Sequence, residues 1–288
     1  MSKRIPALMP KPIVRSQVMA NFPKRPRDSH KGLFGTVAVV GGASGMVGAP
    51  LLAARAALKL GAGCAHVGLL ADNAPGVDPL QPELMLHPAS DALRLPDMNV
   101  FAIGCGMGTS IAAQNILYEA LKTDAALVLD ADALNILAQR SDLRTLLLAR
   151  KSATVLTPHP GEAARLLACE IGEVQADRVA AVRQLAQKFA CSVALKGADS
   201  LCATRDGILF VNRTGNPGMS AAGMGDVLTG MIAAFIAQGM SADDALLLAV
   251  HLHGAAGDAL AQQQAVIGMT ATEVTEWARW LLNQWVDR

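Results

Sequence analysis

Asn216-Pro217-Gly218-Met219-Ser220-Ala221-Ala222-Gly223-Met224-Gly225-Asp226-Val227-Leu228-Thr229-Gly230 is the stretch from which the rest of the chain can be read. Gly223 and Gly225 let the backbone approach a ligand without hindrance from a side chain. A helix expected to start near Asp226 turns its free N–H groups and positive dipole end toward that ligand. A phosphate fits there, so Gly223, Met224 and Gly225 form an expected anion hole. Asp226 stands where a carboxylate can reach a substrate hydroxyl beside a transferred phosphoryl group. The plain alternative is an acid in the first turn of a helix.

Upstream, short β-branched or apolar runs alternate with helical ones. Strands are expected at Thr36–Val40, Ala65–Leu70, Val100–Ile103, Ala126–Leu129, Thr154–Leu156 and Ser192–Leu195. Helical patterns follow at Val47–Leu60, Ile111–Lys122 and Glu173–Phe189. Leu201–Ala203 and Ile208–Val211 flank Arg205-Asp206-Gly207, a hairpin turn. The remainder reads as helices over Val227–Gln238, Ala242–Gln263 and Ala271–Val286. Such alternation predicts an α/β fold: a mostly parallel central sheet with helices on both faces. Ligands of such sheets bind beyond the carboxyl ends of the strands. Gly41-Gly42, Gly104–Gly108, Asp130–Asn135, Thr157–Glu162 and Lys196–Ser200 should therefore gather along one edge.

Residues 1–33, rich in Pro, Lys and Arg, read as an irregular N-terminal arm, and 34–288 as one domain. Apolar residues make up 52% of the 288 but aromatics only 3%, which suits Ala-, Leu- and Val-rich helices packed on a buried sheet. Lys plus Arg total 25 against 24 Asp plus Glu, so no broad basic surface for nucleic acid is expected. No apolar run reaches the roughly 18–20 residues of a membrane span. Pro6, Pro10 and Pro12 stand where a signal peptide would need an apolar segment, so a cytoplasmic protein is expected. The five cysteines, odd in number and without CxxC pairing, read as buried or incidental thiols.

Gly223-Met224-Gly225-Asp226-Val227-Leu228-Thr229-Gly230 resembles the signature of the ADP/ATP-dependent NAD(P)H-hydrate dehydratases, relatives of ribokinase. Further segments resemble the same family in order: Asp28–Gly35, Gly41–Ala49, Gln81–Met85, Asp130–Asn135, Leu156–Glu162 and Leu195–Ala198. The resemblance spans about residues 28–270. It departs at Cys105, where the family commonly has Pro, and at Met224, where Thr or Ser is usual.

The resemblance implies a ribokinase-like fold and metabolite repair: (S)-NADHX and (S)-NADPHX are returned to NADH and NADPH. The C6 hydroxyl is phosphorylated from ADP or ATP with Mg²⁺, and phosphate then leaves. It implies Asp226 as catalytic base and Ala49, Gly106, Gly108, His159 and Asp226 as contacts to the hydrate. Lys196, Gly197, Ala198, Asp199, Ser200 and Gly225 would hold the AMP part of the nucleotide. A homotetramer is implied, paired with a separate NAD(P)HX epimerase. About 35 residues precede the first expected strand, fewer than the ~50 of a small domain, so no epimerase domain is expected there.

Several alternatives bear on the same residues. A small-molecule hydroxyl kinase of the ribokinase-like superfamily, of the hydroxymethylpyrimidine or hydroxyethylthiazole type, would share the Gly-x-Gly-Asp centre. A dinucleotide fingerprint at Gly41–Ala49 with Asp72 as ribose acid fails the G-x-G-x-x-G spacing. Asp130 and Asp132 read equally as Mg²⁺ holders through water and as a helix cap. Glu162 reads as a first-turn helix acid, His251 and His253 as packing residues, and His30 and Lys31 as architectural. Trp277, Trp280 and Trp285 read as packing, or as a subunit contact.

Overall fold

One sheet of ten strands organises the computed structural model, which describes residues 9–286. In chain order the strands are β1 (Lys11–Pro12), β2 (Thr36–Gly41), β3 (Cys64–Leu69), β4 (Met85–Pro88) and β5 (Val100–Ile103). They continue with β6 (Ala126–Leu129), β7 (Thr154–Leu156), β8 (Ser192–Leu195), β9 (Leu201–Ala203) and β10 (Leu209–Val211). The spatial order is β1-β10-β9-β8-β7-β6-β5-β2-β3-β4. Every neighbouring pair is parallel except β9, which runs antiparallel to both β8 and β10. The hairpin closes as expected, with Thr204 N–H donating to Ile208 O at 2.9 Å around Gly207.

Strand β2 shows why the sheet needs two helical layers. Val37 and Val39 enter one core, Ala38 and Val40 the other, and all four are fully buried. The first core packs under α2 (Gly48–Lys59), α10 (Met224–Ala237), α11 (Ala242–Gln263) and α12 (Ala271–Val286). The second lies under α4 (Ile111–Lys122), α5 (Asp132–Gln139), α6 (Ser141–Ala149), α7 (Pro160–Leu167) and α9 (Arg178–Phe189). Where α10 crosses α2 the backbones nearly touch: a Cβ on Gly230 would sit 1.9 Å from Ala53 O. Glycine is required there.

Three differences from the sequence reading have local causes. The arm expected to be irregular contains β1, paired to β10, and α1 (Arg15–Met19), whose buried Val18 joins the first core beside α11. These elements are too short to leave a periodic signal. The long helix expected over Glu173–Phe189 is two: α8 (Ile171–Ala176) and α9, broken at Asp177, whose carboxylate caps Ala180 N–H at 2.8 Å. Finally, α10 begins at Met224 rather than near Asp226, because Gly223 adopts φ +85° and ends the incoming loop. Asp226 is thus the third residue of the helix.

Candidate active site

The strand ends meet as the fold class requires. Gly42 N–H donates to Cys105 O (3.0 Å) and Ala43 N–H to Gly106 O (2.7 Å), tying the loops after β2 and β5 together. Gly104 sits against the next strand end, where a Cβ would lie 1.9 Å from Asp130 O. Gly108 N–H donates to Asp132 at 2.8 Å, and Lys196 N–H donates to Pro158 O at 2.8 Å. Between the two aspartates Ala131 holds φ +48°, a conformation that costs a non-glycine residue about 1–3 kcal/mol. This turn sends Asp130 toward α10 and Asp132 toward Gly108.

Asp130 is nearly fully buried. One of its oxygens takes the Lys196 ammonium at 2.6 Å, the other the Thr229 hydroxyl at 2.9 Å. Glu162 lies 3.9 Å from the same ammonium. Burial alone would lower the Lys196 pKa, but the flanking Asp130 and Glu162 charges raise it above its ordinary value. The cation is therefore fixed at the sheet edge beside α10. A Cβ on Gly225 would stand 3.3 Å from Lys196 Nζ and 3.5 Å from the Asp130 carboxylate. Glycine at 225 keeps that ion pair open to the helix N-terminus.

Asp226 shares this neighbourhood with Cys105, Asp130 and Lys196. Burial pushes its pKa up to about 6; the Cys105 thiol and Lys196 pull it back, and the Asp130 charge adds to the rise. Glu162 is pushed further, to about 7, again by burial. Two carboxyl groups of the site thus titrate near neutrality, and perturbed acids gathered in a cleft mark functional sites more often than structural ones. Gly223 carries no side-chain cap, so the first N–H groups of α10 remain available to an anion.

His159 caps α7. Its Nδ1 accepts from Gly161 N–H at 2.9 Å, while Glu162 accepts from His159 N–H at 2.8 Å. The first-turn role read for Glu162 is present, and His159 is the cap of the same helix. Burial, with the Lys196 charge nearby, lowers the His159 pKa, so the ring is neutral at pH 7. A cavity of 750 Å³ opens here, lined by His159, Lys196–Ser200, Asn212–Pro217, Met224, Gly225, Leu228 and His253, among others. All the residues expected to hold the nucleotide line it. Ala49, Gly106 and Gly108 do not; they cluster on the β2–β5 side, where a Cβ on Gly106 would lie 3.2 Å from Ala49. His159, expected on the hydrate with them, lines this cavity together with the residues expected on the nucleotide. Gly223 and Asp226 sit between the two groups.

The donor set decides the fate of the acidic pair. Asp132 accepts from Gly108 N–H and from the Asn135 side chain, and both Asp130 oxygens are engaged. Each oxygen of the two carboxylates thus already accepts one hydrogen bond, and further lone pairs remain for water or a cation. Among the described residues no group of three or more His, Cys, Asp or Glu side chains stands together as a metal site. Nor does any helix among them have the length and apolarity to cross a membrane.

Sequence reasoning missed three parts of the site. The Asp130–Lys196 pair joins residues 66 apart, which no local pattern reveals. Cys105 is buried, as read for the cysteines, but its contact with Asp226 leaves no trace in the sequence. His253 was set aside as packing but lines the cavity, whereas His251 packs on Trp285 with ring centres 5.7 Å apart.

Comparison with known proteins agrees with this geometry. A family model described as NAD(P)H-hydrate dehydratase matches residues 37–279. The chain is 46% identical over 267 residues to the ADP-dependent (S)-NAD(P)H-hydrate dehydratase of Neisseria meningitidis, covering 91% of this chain and 90% of that one. It is 41% identical over 266 residues to the bifunctional NAD(P)H-hydrate repair enzyme of Coxiella burnetii, of which it covers 53% against 91% of itself. The crystal structure of ADP/ATP-dependent NAD(P)H-hydrate dehydratase from Bacillus subtilis, co-crystallised with ATP/Mg²⁺, superimposes with a TM-score of 0.86 at 28% identity, covering 96% of this chain and 99% of that one. The fold is ribokinase-like, and the chain belongs to the NAD(P)H-hydrate dehydratase family.

Proposed function

We propose that this chain repairs hydrated NADH and NADPH by nucleotide-dependent dehydration, with Asp226 as general base. The observation that carries the reading is the placement of Asp226, in the uncapped first turn of α10 beside the Asp130–Lys196 pair. The hydroxyl on C6 of the (S) hydrate is a poor leaving group, and phosphate is a good one. Asp226 takes the hydroxyl proton as the C6 oxygen of the hydrate attacks the terminal phosphorus and displaces AMP from ADP, or ADP from ATP. The Gly223–Gly225 backbone and the Lys196 ammonium meet the charge on the transferring phosphoryl group. The C6–O bond then breaks, phosphate leaves, and loss of a proton from C5 restores the dihydronicotinamide double bond.

Lys196, Gly197, Ala198, Asp199, Ser200 and Gly225 hold the nucleotide in the 750 Å³ cavity. Ala49, Gly106 and Gly108 hold the hydrate, and His159 stands at the junction. Mg²⁺ would supply charge neutralisation at the phosphates, with Asp130 and Asp132 the carboxylates placed to hold it through water. Residues 34–288 act as one dehydratase domain in this proposal. A homotetramer, a cytoplasmic setting and a separate epimerase supplying the (S) form complete it. The epimerase is supported by bifunctional relatives, of which this chain spans about half.

Protein mixed with NADHX and ADP should regenerate the absorbance of NADH and release phosphate and AMP in equal amounts. Consumption of nucleotide with a stable phosphorylated product would make it a kinase instead. No turnover of either kind would leave only a nucleotide-binding protein.

A further inference from the structure

Asn212–Pro217 lines the nucleotide cavity, yet residues 212–216 belong to neither helix nor strand. A segment without a ladder of its own must find partners for its backbone elsewhere. Here they come from α11. The Asn212 side-chain amide donates to Val250 O at 3.4 Å, and the Thr214 hydroxyl donates to His251 O at 3.0 Å. One turn on, a Cβ at Gly254 would lie 2.6 Å from Thr214 O, and one at Gly257 would lie 2.7 Å from the Met219 side chain. The loop therefore rests on a single face of α11, along positions 250, 251, 254 and 257.

Asp258 closes this contact. One of its oxygens accepts from Gly215 N–H at 2.8 Å, the other from the Asn216 side-chain amide at 3.1 Å. Gly215 N–H has no backbone acceptor among the described residues, so the carboxylate is its partner. Asn216 uses its own oxygen to accept from Gly218 N–H at 3.0 Å, which caps the turn at Pro217–Met219. From that turn the chain runs through Ser220–Ala222 to Gly223, where the expected anion hole begins. Asp258 itself is not among the residues lining the cavity. Its two partners are.

We propose that Asp258 is a positioning residue for the nucleotide, fixing the Gly215–Asn216 corner on α11 so that the cavity wall stands ready before the nucleotide arrives. The inference rests on the dehydratase reading above. A preformed wall avoids the ordering cost that a loose loop adds to binding. Both partners donate, so the position calls for two acceptors. Asn at 258 offers one acceptor and one donor, and must set an N–H against either Gly215 or Asn216. The residues assigned to the hydrate, Ala49, Gly106 and Gly108, lie outside this cavity, so the effect should fall on ADP alone.

The test is a two-residue cycle on the whole chain, read by ADP calorimetry and by steady-state rates. Asp258→Asn should raise both Kd and KM for ADP about tenfold, the loss expected for one charge-assisted contact. KM for NADHX and kcat should stay within about twofold, because neither the hydrate nor the base is touched. Asn216→Asp sets two carboxylates face to face and should weaken ADP at least as much. In the double variant each contact again joins a donor to an acceptor, so ADP should bind at least about tenfold more tightly than the product of the two single losses allows. A charge at 216 acts on the nucleotide alike in both backgrounds, so the coupling decides and not the absolute affinity. Multiplicative single losses, a lower melting temperature in Asp258→Asn with unchanged ADP affinity, or KM for NADHX rising as far as that for ADP would overturn the proposal. A wild type that binds ADP but leaves NADHX unchanged would overturn the dehydratase reading, while the calorimetric cycle still judges the clamp. No binding of ADP at all would overturn both.

Discussion

Lys196 Nζ lies 2.6 Å from Asp130 Oδ1, and through this contact the end of β8 is pinned to the end of β6, two strands away. Removing the cation by Lys196→Met leaves Asp130 and Glu162 facing each other without compensation. Breaking one side of a buried pair typically costs about 3–5 kcal/mol, and the loss should shrink as pH falls through about 7, where Glu162 takes a proton. A charge-assisted contact is worth about 1.5–3 kcal/mol, so ADP affinity should fall at least tenfold. Thermal melts at pH 5.5 and 8 and ADP titration calorimetry check both effects. Unchanged ADP affinity would remove Lys196 from the nucleotide site.

Asp226→Asn should separate chemistry from stability in opposite directions. The Asp226 pKa is raised in the folded protein from an ordinary 3.8 to about 6. A raised carboxyl pKa means that its contribution to stability is complete below pH 3.8 and is lost as pH rises through 6. Above pH 6 the wild type therefore carries an ill-solvated carboxylate, and Asn relieves a penalty on the order of 1–3 kcal/mol. The variant should melt at or above the wild-type temperature at pH 8, while turnover falls about 10²- to 10⁴-fold. Retention of more than about a tenth of wild-type turnover would exclude Asp226 as the base.

The same titration sets the pH profile. A base works ionised, so kcat/KM should rise with pH and level off above about 6. Glu162, raised to about 7, caps α7 through the His159 backbone and takes no proton from the substrate in this scheme. Glu162→Gln should then leave the rise near pH 6 in place. Displacement of the rise by that change would transfer the titration to Glu162.

Gly230→Ala tests the helix crossing. Its new Cβ would fall 1.9 Å from Ala53 O, so α10 must move away from α2. Overpacking of this kind typically costs about 1–3 kcal/mol, occasionally more. Because α10 also carries Asp226, turnover of the folded fraction should drop as well. Gly172→Ala on α8, with open space around its Cβ and no left-handed φ, provides the control. Loss of stability without any loss of turnover would mean that the crossing does not set the position of Asp226.

The central strands were legible because each is a short apolar run buried on both faces; Val100–Ile103, Ala126–Leu129 and Thr154–Leu156 match the structure residue for residue. Edge elements were not. Met85–Pro88 is half exposed and ends in proline, so its run of apolar residues is broken before it reads as a strand. In the site, glycines and polar strand ends could be found because backbone geometry demands them at fixed offsets. Lys196–Asp130 and Cys105–Asp226 could not, since each depends on which strands the crossovers make adjacent. The split at Asp177 lies between these cases: an acid that caps a second helix looks, in sequence, like one more exposed residue of a single long one.

The contact of Gly230 with Ala53 also sorts the protein into parts that can and cannot be redesigned. Because α2 and α10 meet backbone to backbone, Ala49 at the head of one and Asp226 at the head of the other belong to a single stiff frame. A side chain at 230 would meet the Ala53 main chain, which no change of the Ala53 side chain can withdraw, so position 230 is closed to anything but glycine. Lys196 is tied to that frame through Asp130 and Thr229, whereas the turn of the β9–β10 hairpin at Arg205–Gly207 is not. In the proposed scheme, retuning the phosphate donor therefore belongs on that hairpin, whose length can change without moving α2 against α10.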